Sequence, residues 1–525
     1  MKPAFEDRPA WVKSRGYLHI TPKIDVYKRY DEIFSKVNDE RFVARHGFFP
    51  LIHSVIKERK YKKLPDGSGR AHSYLKAGKS ERTAKLRPLH YATHIDALIY
   101  GRYAEKLLAL YEEELLKNDG LGDCVIAYRK ILEDIEEDGE EPCLEKTTGK
   151  STIHFAHEAF QEIKSRAKEG CVVLMFDIKS FFSELNHQHL KKAWCELLNM
   201  ERLPASDFNV FSSSTEFRYI LRDELRLRQA NKGKRAGFDE KKLAEIRKTQ
   251  GIESFYGSVE EFKWAIKEKK IRVYKHPFVK KGRPVGIPQG LPISAVLANL
   301  YLLEFDKAIF QNIVDARDGY YRRYSDDIMV ICKPEEAKEI ENLVMEEIKK
   351  SHLIISEEKT ETFLFKNTTL SPKITRVTAH LVKNGKMTIG KPLTYLGFEF
   401  YGHRALIKSA NLSKYYRRMV SSVKRKSRRS VSGGEGKVLF PRQIKKIYEQ
   451  VKLSKDNVYK TRKRLVKNEN GFYSYKFKEI PVRPGGSYIS YARRASEQMD
   501  DGRIMNQVKK NKFIFRDAMS RHLKK

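Results

Sequence analysis

Apolar and polar positions alternate along this chain in ways that predict its elements before any chemistry is considered. Cys171-Val172-Val173-Leu174-Met175-Phe176 is an unbroken β-prone run of the kind found in strands covered on both faces. Tyr320-Tyr321 and Ile328-Met329-Val330-Ile331 flank a short polar segment and predict a β-hairpin. Asn186 is placed to cap a helix over 187–198, Ala295 to Leu303 reads as an apolar helix, and Ala337, Ile340, Val344 and Ile348 share one face of a helix begun by Pro334. Near the C-terminus Leu412, Tyr415, Met419, Val420 and Val423 recur at helical spacing, with further helices expected from about Pro441 and Asp456.

Carboxylates stand where these strands end. The hairpin tip reads Tyr324-Ser325-Asp326-Asp327, and the buried-type strand runs straight into Asp177. Adjacent ionised aspartates repel, so a cation or a basic neighbour must offset them, and a charge closing an apolar strand is costly unless compensated. Each site taken alone has a plain alternative, a solvated turn. Between them Gly286-Ile287-Pro288-Gln289-Gly290-Leu291-Pro292-Ile293-Ser294 forms a stiff loop feeding a helix, which brings backbone N–H groups close to a phosphate or base.

Phe176-Asp177, the Gly-Ile-Pro-Gln-Gly-Leu-Pro-Ile-Ser loop and Tyr-Ser-Asp-Asp, in that order, resemble motifs A, B and C of reverse transcriptases. Ser356-Glu357-Glu358-Lys359-Thr360 resembles motif D, and Leu396-Gly397-Phe398 resembles motif E. Ala127-Tyr128-Arg129-Lys130 and Lys85-Leu86-Arg87 are similar to shorter fingers motifs, so the resemblance spans roughly residues 85 to 402. The wording of motif B is nearest to bacterial abortive-infection and defence-associated reverse transcriptases. Arg15 to Ile20 points the same way, while the retron signatures are missing, Val377-Thr378-Ala379 being the nearest approach.

The resemblance implies a right-hand polymerase of α/β (α+β) class, with fingers and a ferredoxin-like palm followed by a mainly helical C-terminal domain. The expected divisions are an N-terminal extension over 1–84, a fingers-palm unit over 85–402 and a basic thumb-like unit over 403–525. It implies RNA-directed DNA synthesis with two Mg²⁺ ions, Mn²⁺ being a substitute, about 3.5–4 Å apart in such two-metal sites. Asp177, Asp326 and Asp327 would hold metal, with the Ile178 carbonyl as an extra ligand. Lys359 reads either as a general acid near the pyrophosphate or as a surface lysine. Phe182 aligns with the steric gate against a ribose 2′-OH, although one of Phe181 and Phe182 must be core. Gln289 would line the nucleotide pocket. Lys85 and Arg87 would grip the triphosphate or form a solvated basic face. Some relatives prime DNA on a protein hydroxyl, for which Tyr17, Tyr488 and Tyr491 are candidates among 27 tyrosines.

Composition narrows the partner class independently. The 104 Lys and Arg against 68 Asp and Glu leave a net charge of +36, a surplus suited to a polyanion. RNA template, DNA product and dNTPs are the expected partners, with a homo-oligomer open. No signal peptide, lipidation motif or membrane-length apolar span is visible, and Cys124, Cys143, Cys171, Cys195 and Cys332 form no Cys-x-x-Cys pair, which together favour the cytoplasm. Gly149-Lys150-Ser151-Thr152 is not a phosphate-binding loop, because Leu144 stands where its first glycine belongs. The polar insertion with Arg226-Leu227-Arg228 and Lys232-Gly233-Lys234-Arg235 is either an RNA-binding element or a solvated excursion. The C-terminal unit would clamp a duplex or structured RNA, or form a basic tail. Rival readings are an RNA polymerase on the same palm, an untemplated DNA polymerase, and a catalytically idle RNA-binding scaffold.

Overall fold

The computed structural model describes residues 8–58, 62–64, 69–71, 73–76, 79–132, 149–225, 227–229, 237–239, 241–372, 374–431, 458–467, 473–482 and 487–523. Its centre is a six-stranded sheet ordered Tyr320–Tyr324, Asp327–Cys332, Cys171–Asp177, Glu361–Ser371, Ile374–Lys383 and Lys386–Ile389, with every neighbouring pair antiparallel. The apolar run 171–176 is a strand with both faces covered. Val172, Leu174 and Phe176 enter one core, and Cys171 and Val173 enter the other. Ile328 and Val330 divide from Met329 and Ile331 in the same way, so the alternation of the pleat sorts two hydrophobic cores across one sheet.

The first four strands in chain order are 171–177, 320–324, 327–332 and 361–371, and in space the second, third, first and fourth lie side by side. With the helix Ala337–Lys350 crossing between the third and fourth, this is the expected ferredoxin-like arrangement. That helix begins three residues after Pro334 and buries Ile340, Val344 and Ile348. The helix His187–Leu197 is capped as expected, Asn186 accepting from the N–H groups of Gln188 and His189.

The strand Leu51–Glu58 pairs antiparallel with Lys85–Tyr91, and Tyr219–Leu221 adds to it in parallel. Residue 84 therefore lies on the connection between two paired strands of one sheet. Tyr30, Ile33, Val37 and Val43 also share a core with the helix His94–Leu116. The segment ahead of the motif B loop is folded. Phe255, Tyr256, Phe262, Ala265 and Ile271 close a third apolar cluster with Ile20, Ile52 and Ile220. Within the insertion Leu227–Gln229 pairs with Gly237–Asp239, while Arg226 and Lys232 to Arg235 lie outside the described residues.

The C-terminal part departs from its expected helices at one place. Val458–Lys467 and Tyr473–Val482 form an antiparallel hairpin where the spacing predicts a helix from Asp456. Tyr473, Tyr475 and Phe477 alternate with polar residues, a period of two that outweighs helical spacing. Pro441 and Ser432 to Gly436 lie outside the described residues. The helix Ser409–Val431 places Met419 and Val423 against Phe515 and Ala518, and Ile489, Ala492 and Ala495 pack under the central sheet. Among the described residues no helix is long and apolar enough to cross a membrane.

Candidate active site

Strand register brings the three aspartates to one end of the sheet. Asp327 is the direct cross-strand partner of Asp177, and the Ile178 N–H donates to the Asp326 carbonyl at 3.0 Å. Between Tyr324 and Asp327 the chain reverses in two residues, with Ser325 held at φ 63°, the left-handed conformation such a tight hairpin turn requires. Burial, and then the charges of Asp326 and Asp177, push the Asp327 carboxyl up to about 6, against the pull of Lys359 and Lys408.

The Lys359 ammonium is paired with the Asp177 carboxylate. Lys359 closes a single 3₁₀ turn, Glu357–Lys359, whose approach is fixed by the Ser356 N–H donating to the Asp177 carbonyl at 2.8 Å. Among the described residues no three His, Cys, Asp or Glu side chains converge as a ready-made ion cage. The donor set still suits a hard divalent cation: three carboxylates at one edge, one of them raised by burial and by its neighbours' negative charge. Ile178 has a buried side chain and bridges to Ile355.

Behind the tip lies a buried ion pair that the sequence reading missed. Arg323 and Asp306 are both fully buried and joined by two hydrogen bonds, of 2.7 and 2.5 Å. Tyr321 donates to the same carboxylate at 2.6 Å, and Arg323 also reaches the Ser325 carbonyl at 3.2 Å and the Asn299 side chain at 3.4 Å. Asn299 in turn donates to the Ala127 carbonyl at 2.9 Å, and the Tyr128 hydroxyl meets that of Ser325 at 3.0 Å. The segment 127–128 is thereby tied to the turn at Ser325. Arg129 is held by Glu112. Two arginines, Arg322 and Arg323, inside the five-residue Tyr320–Tyr324 strand were the available signal.

The loop 285–290 is docked backbone to backbone. Gly286 N–H donates to Leu185, Ile287 N–H to Phe182, and His90 N–H to Gln289, at 2.7, 2.7 and 2.8 Å. Glycine is required twice: Gly286 at φ 76° would drive a Cβ to 2.6 Å from the Ser183 carbonyl oxygen, and Gly290 at φ 116° to 2.5 Å from that of His90. Phe181 is buried and Phe182 only partly so, its ring 5.5 Å from that of Phe181, which separates the core residue from the gate candidate. Gln289 is half-buried beside Gly290, between Phe182 and the strand Lys85–Tyr91. Lys85 and Arg87 are exposed on that strand. Arg87 lies 3.5 Å from Glu58, which also pairs with Lys414 at 2.6 Å.

The tyrosines sit in packed settings. The Tyr17 hydroxyl donates to the Ala92 carbonyl at 2.9 Å, its ring stacks on His94, and burial pushes its pKa up to about 12. Tyr488 stacks on Tyr415 at 4.1 Å, its hydroxyl buried without a partner and pushed up to about 12 by burial. Tyr491 stacks on Phe398 within the motif E hairpin, and burial raises it as well. Ser151 caps the helix Thr152–Arg166, which accounts for the Gly-Lys-Ser-Thr sequence without a phosphate.

Residues 239–400 match the family described as reverse transcriptase (RNA-dependent DNA polymerase). The matched span contains the loop, Asp326, Asp327 and Lys359, and begins beyond Asp177. A reverse transcriptase domain is thus present, on a mixed α/β fold of the right-hand polymerase type. No curated protein matches the chain. Among solved structures, apo telomerase from Candida tropicalis truncated from the C-terminal domain is 9% identical, with 73% of this chain and 60% of that chain covered and a TM-score of 0.35. Telomerase from Candida albicans in complex with a TWJ fragment of telomeric RNA is 10% identical, with 74% and 53% covered and a TM-score of 0.34. The chain spans 53–60% of the length of these two structures.

Proposed function

We propose that this protein is an RNA-directed DNA polymerase whose reaction centre is the Asp177, Asp326 and Asp327 edge of the sheet. The observation that carries the reading is the register pairing Asp327 with Asp177, with Ile178 bonded to Asp326 across the same strands. In the reaction a primer 3′-oxygen bonds to the α-phosphorus of a dNTP, the bond to pyrophosphate breaks, and the hydroxyl proton is lost. Divalent ions, Mg²⁺ or Mn²⁺, held by the three aspartates with the Ile178 carbonyl, would stabilise the attacking and leaving oxygens. Lys359 would serve the departing pyrophosphate, a role its ion pair with Asp177 supports. Phe182 would exclude a 2′-hydroxyl and Gln289 would contact the nucleotide. Lys85 and Arg87 would bind the triphosphate, Arg87 giving up Glu58 to do so.

The finer placement rests on motif wording for an enzyme of bacterial antiphage defence that copies a dedicated noncoding RNA and starts from a tyrosine hydroxyl, and on the cysteine pattern for the cytoplasm. Among the three candidates Tyr488 has the hydroxyl without a partner, which makes it first to test. The decisive experiment supplies the purified chain with a primed RNA template, Mg²⁺ and labelled dNTPs or rNTPs. DNA extension that Asp326→Ala abolishes while RNA binding persists supports the reading. Equal extension by that variant, or preferential use of rNTPs, overturns it. Product that stays protein-linked after nuclease treatment, and is lost in Tyr488→Phe, would place the primer.

A further inference from the structure

The loop that carries Gln289 is held by more than its own backbone. His187, the first residue of the helix His187–Leu197, has Nε2 2.8 Å from the Gly286 carbonyl, and His276 has Nε2 2.6 Å from the Val285 carbonyl. A carbonyl only accepts, so both imidazoles must carry hydrogen on Nε2. The rings lie 5.7 Å apart and edge-on, and His276 is wedged between Phe217 and Phe278 at 4.8 and 5.5 Å. Burial lowers both pKa values, which favours the neutral imidazoles that these two carbonyl bonds describe.

The backbone they hold runs directly to the sugar gate. Val285 N–H donates to Phe278 at 3.1 Å, Gly286 N–H to Leu185, and Ile287 N–H to the carbonyl of Phe182 itself. Ser294 Oγ donates to the Pro288 carbonyl at 2.6 Å. With 285, 286, 287, 288 and 289 each tied, the Gln289 side chain is the group left to meet a ligand. Gln289 and Phe182 are therefore positioned as one rigid unit. The two imidazole bonds enter at its upstream end, and glycine at 286 lets the unit rest on residue 183 without an intervening side chain.

We propose that His187 and His276 are positioning residues for the incoming nucleotide: their Nε2–H groups fix the 285–287 backbone and, through it, both dNTP affinity and discrimination against rNTPs. This rests on the polymerase reading above. The neighbouring backbone bonds do not involve the imidazoles, so loss of one imidazole bond loosens the loop without dismantling it. The consequence falls on nucleotide binding rather than on the aspartates, whose strand pairing does not involve the loop.

The test compares His187→Gln with His187→Asn, and His276→Gln with His276→Asn, by single-nucleotide extension on primed RNA. Glutamine carries an amide N–H to about the reach of Nε2, and asparagine falls short. The asparagine variants should raise the KM for dNTP about fivefold to tenfold, the equivalent of one lost hydrogen bond, with kcat little changed and the dNTP preference over rNTP reduced. The glutamine variants should restore most of both. An unchanged KM in the asparagine variants, or equal defects in the glutamine and asparagine members of each pair, overturns the inference. A wild-type chain that extends no primer sinks the polymerase reading instead, so the two failures are distinguishable.

Discussion

Two sides of the turn in the hairpin 320–332, a buried root just behind it and an exposed tip, use the same chemistry to opposite ends. At the root, Asp306 and Arg323 are completely buried, meet through two hydrogen bonds and have Tyr321, Asn299 and the Ser325 carbonyl completing the set. At the tip, three carboxylates stand within the field of Lys359 and Lys408, and burial together with the neighbouring charges of Asp326 and Asp177 raises the Asp327 carboxyl to about 6. A closed ion pair in a low-dielectric interior fixes geometry and has nothing left to bind. An acidic edge with surplus charge can accept a cation from outside. The contrast separates a carboxylate that builds the fold from carboxylates left with charge to bind, within a few residues of one strand pair.

The largest effect that can break this contrast comes from the tip. Asp326→Ala should lower nucleotide incorporation by about a thousandfold or more, since metal stabilisation amounts to several kcal/mol and each 1.36 kcal/mol is tenfold. It should leave the melting temperature equal or slightly higher, because one of three repelling charges is gone. A large loss of stability in this variant would mean that the tip is structural after all.

At the root the prediction inverts. Arg323→Met leaves Asp306 buried with its charge unmatched, and should cost about 3–5 kcal/mol in denaturant unfolding, with activity falling in step with the folded fraction. A stable but inactive Arg323→Met protein would place the arginine in the chemistry instead. Lys359→Ala should do less to stability, within about 1 kcal/mol for a half-exposed pair, yet slow incorporation about a hundredfold if the ammonium serves as an acid. Full activity in Lys359→Ala would return it to the surface-lysine reading.

The sequence made the tip legible and left the root obscure, for a physical reason. An apolar run ending in Asp177 and a two-residue turn bearing Asp326 and Asp327 are local patterns, and local patterns follow the period of the strand. Asp306 lies in the helix Leu303–Ile309, and its partner is 17 residues away on a strand, so nothing in the spacing announces the pair. Lys408 reaches Asp327 from beyond the motif E hairpin and belongs to no motif. His187 and His276 were invisible because their partners are backbone carbonyls, which leave no mark in side-chain identity. The helix expected from Asp456 failed because alternation in 473–477 carried more weight than spacing across a segment rich in Lys and Arg.

The smallest expected effect lies where root and tip meet. The Tyr128 hydroxyl bonds to Ser325 from a segment 197 residues away, and Tyr128 is itself 43% exposed. Tyr128→Phe removes that bond and nothing else of size. If the buried Arg323 network sets the posture of the turn, the variant should lose about 1 kcal/mol or less in urea unfolding and keep incorporation within about twofold. A larger loss in incorporation with stability unchanged would show the fingers segment 127–128 steering the catalytic turn directly. The double variant Tyr128→Phe with Ser325→Ala then decides the matter. Equal effects of the double and single variants mean that the bond itself acts, whereas additive effects mean that the two hydroxyls act through separate contacts.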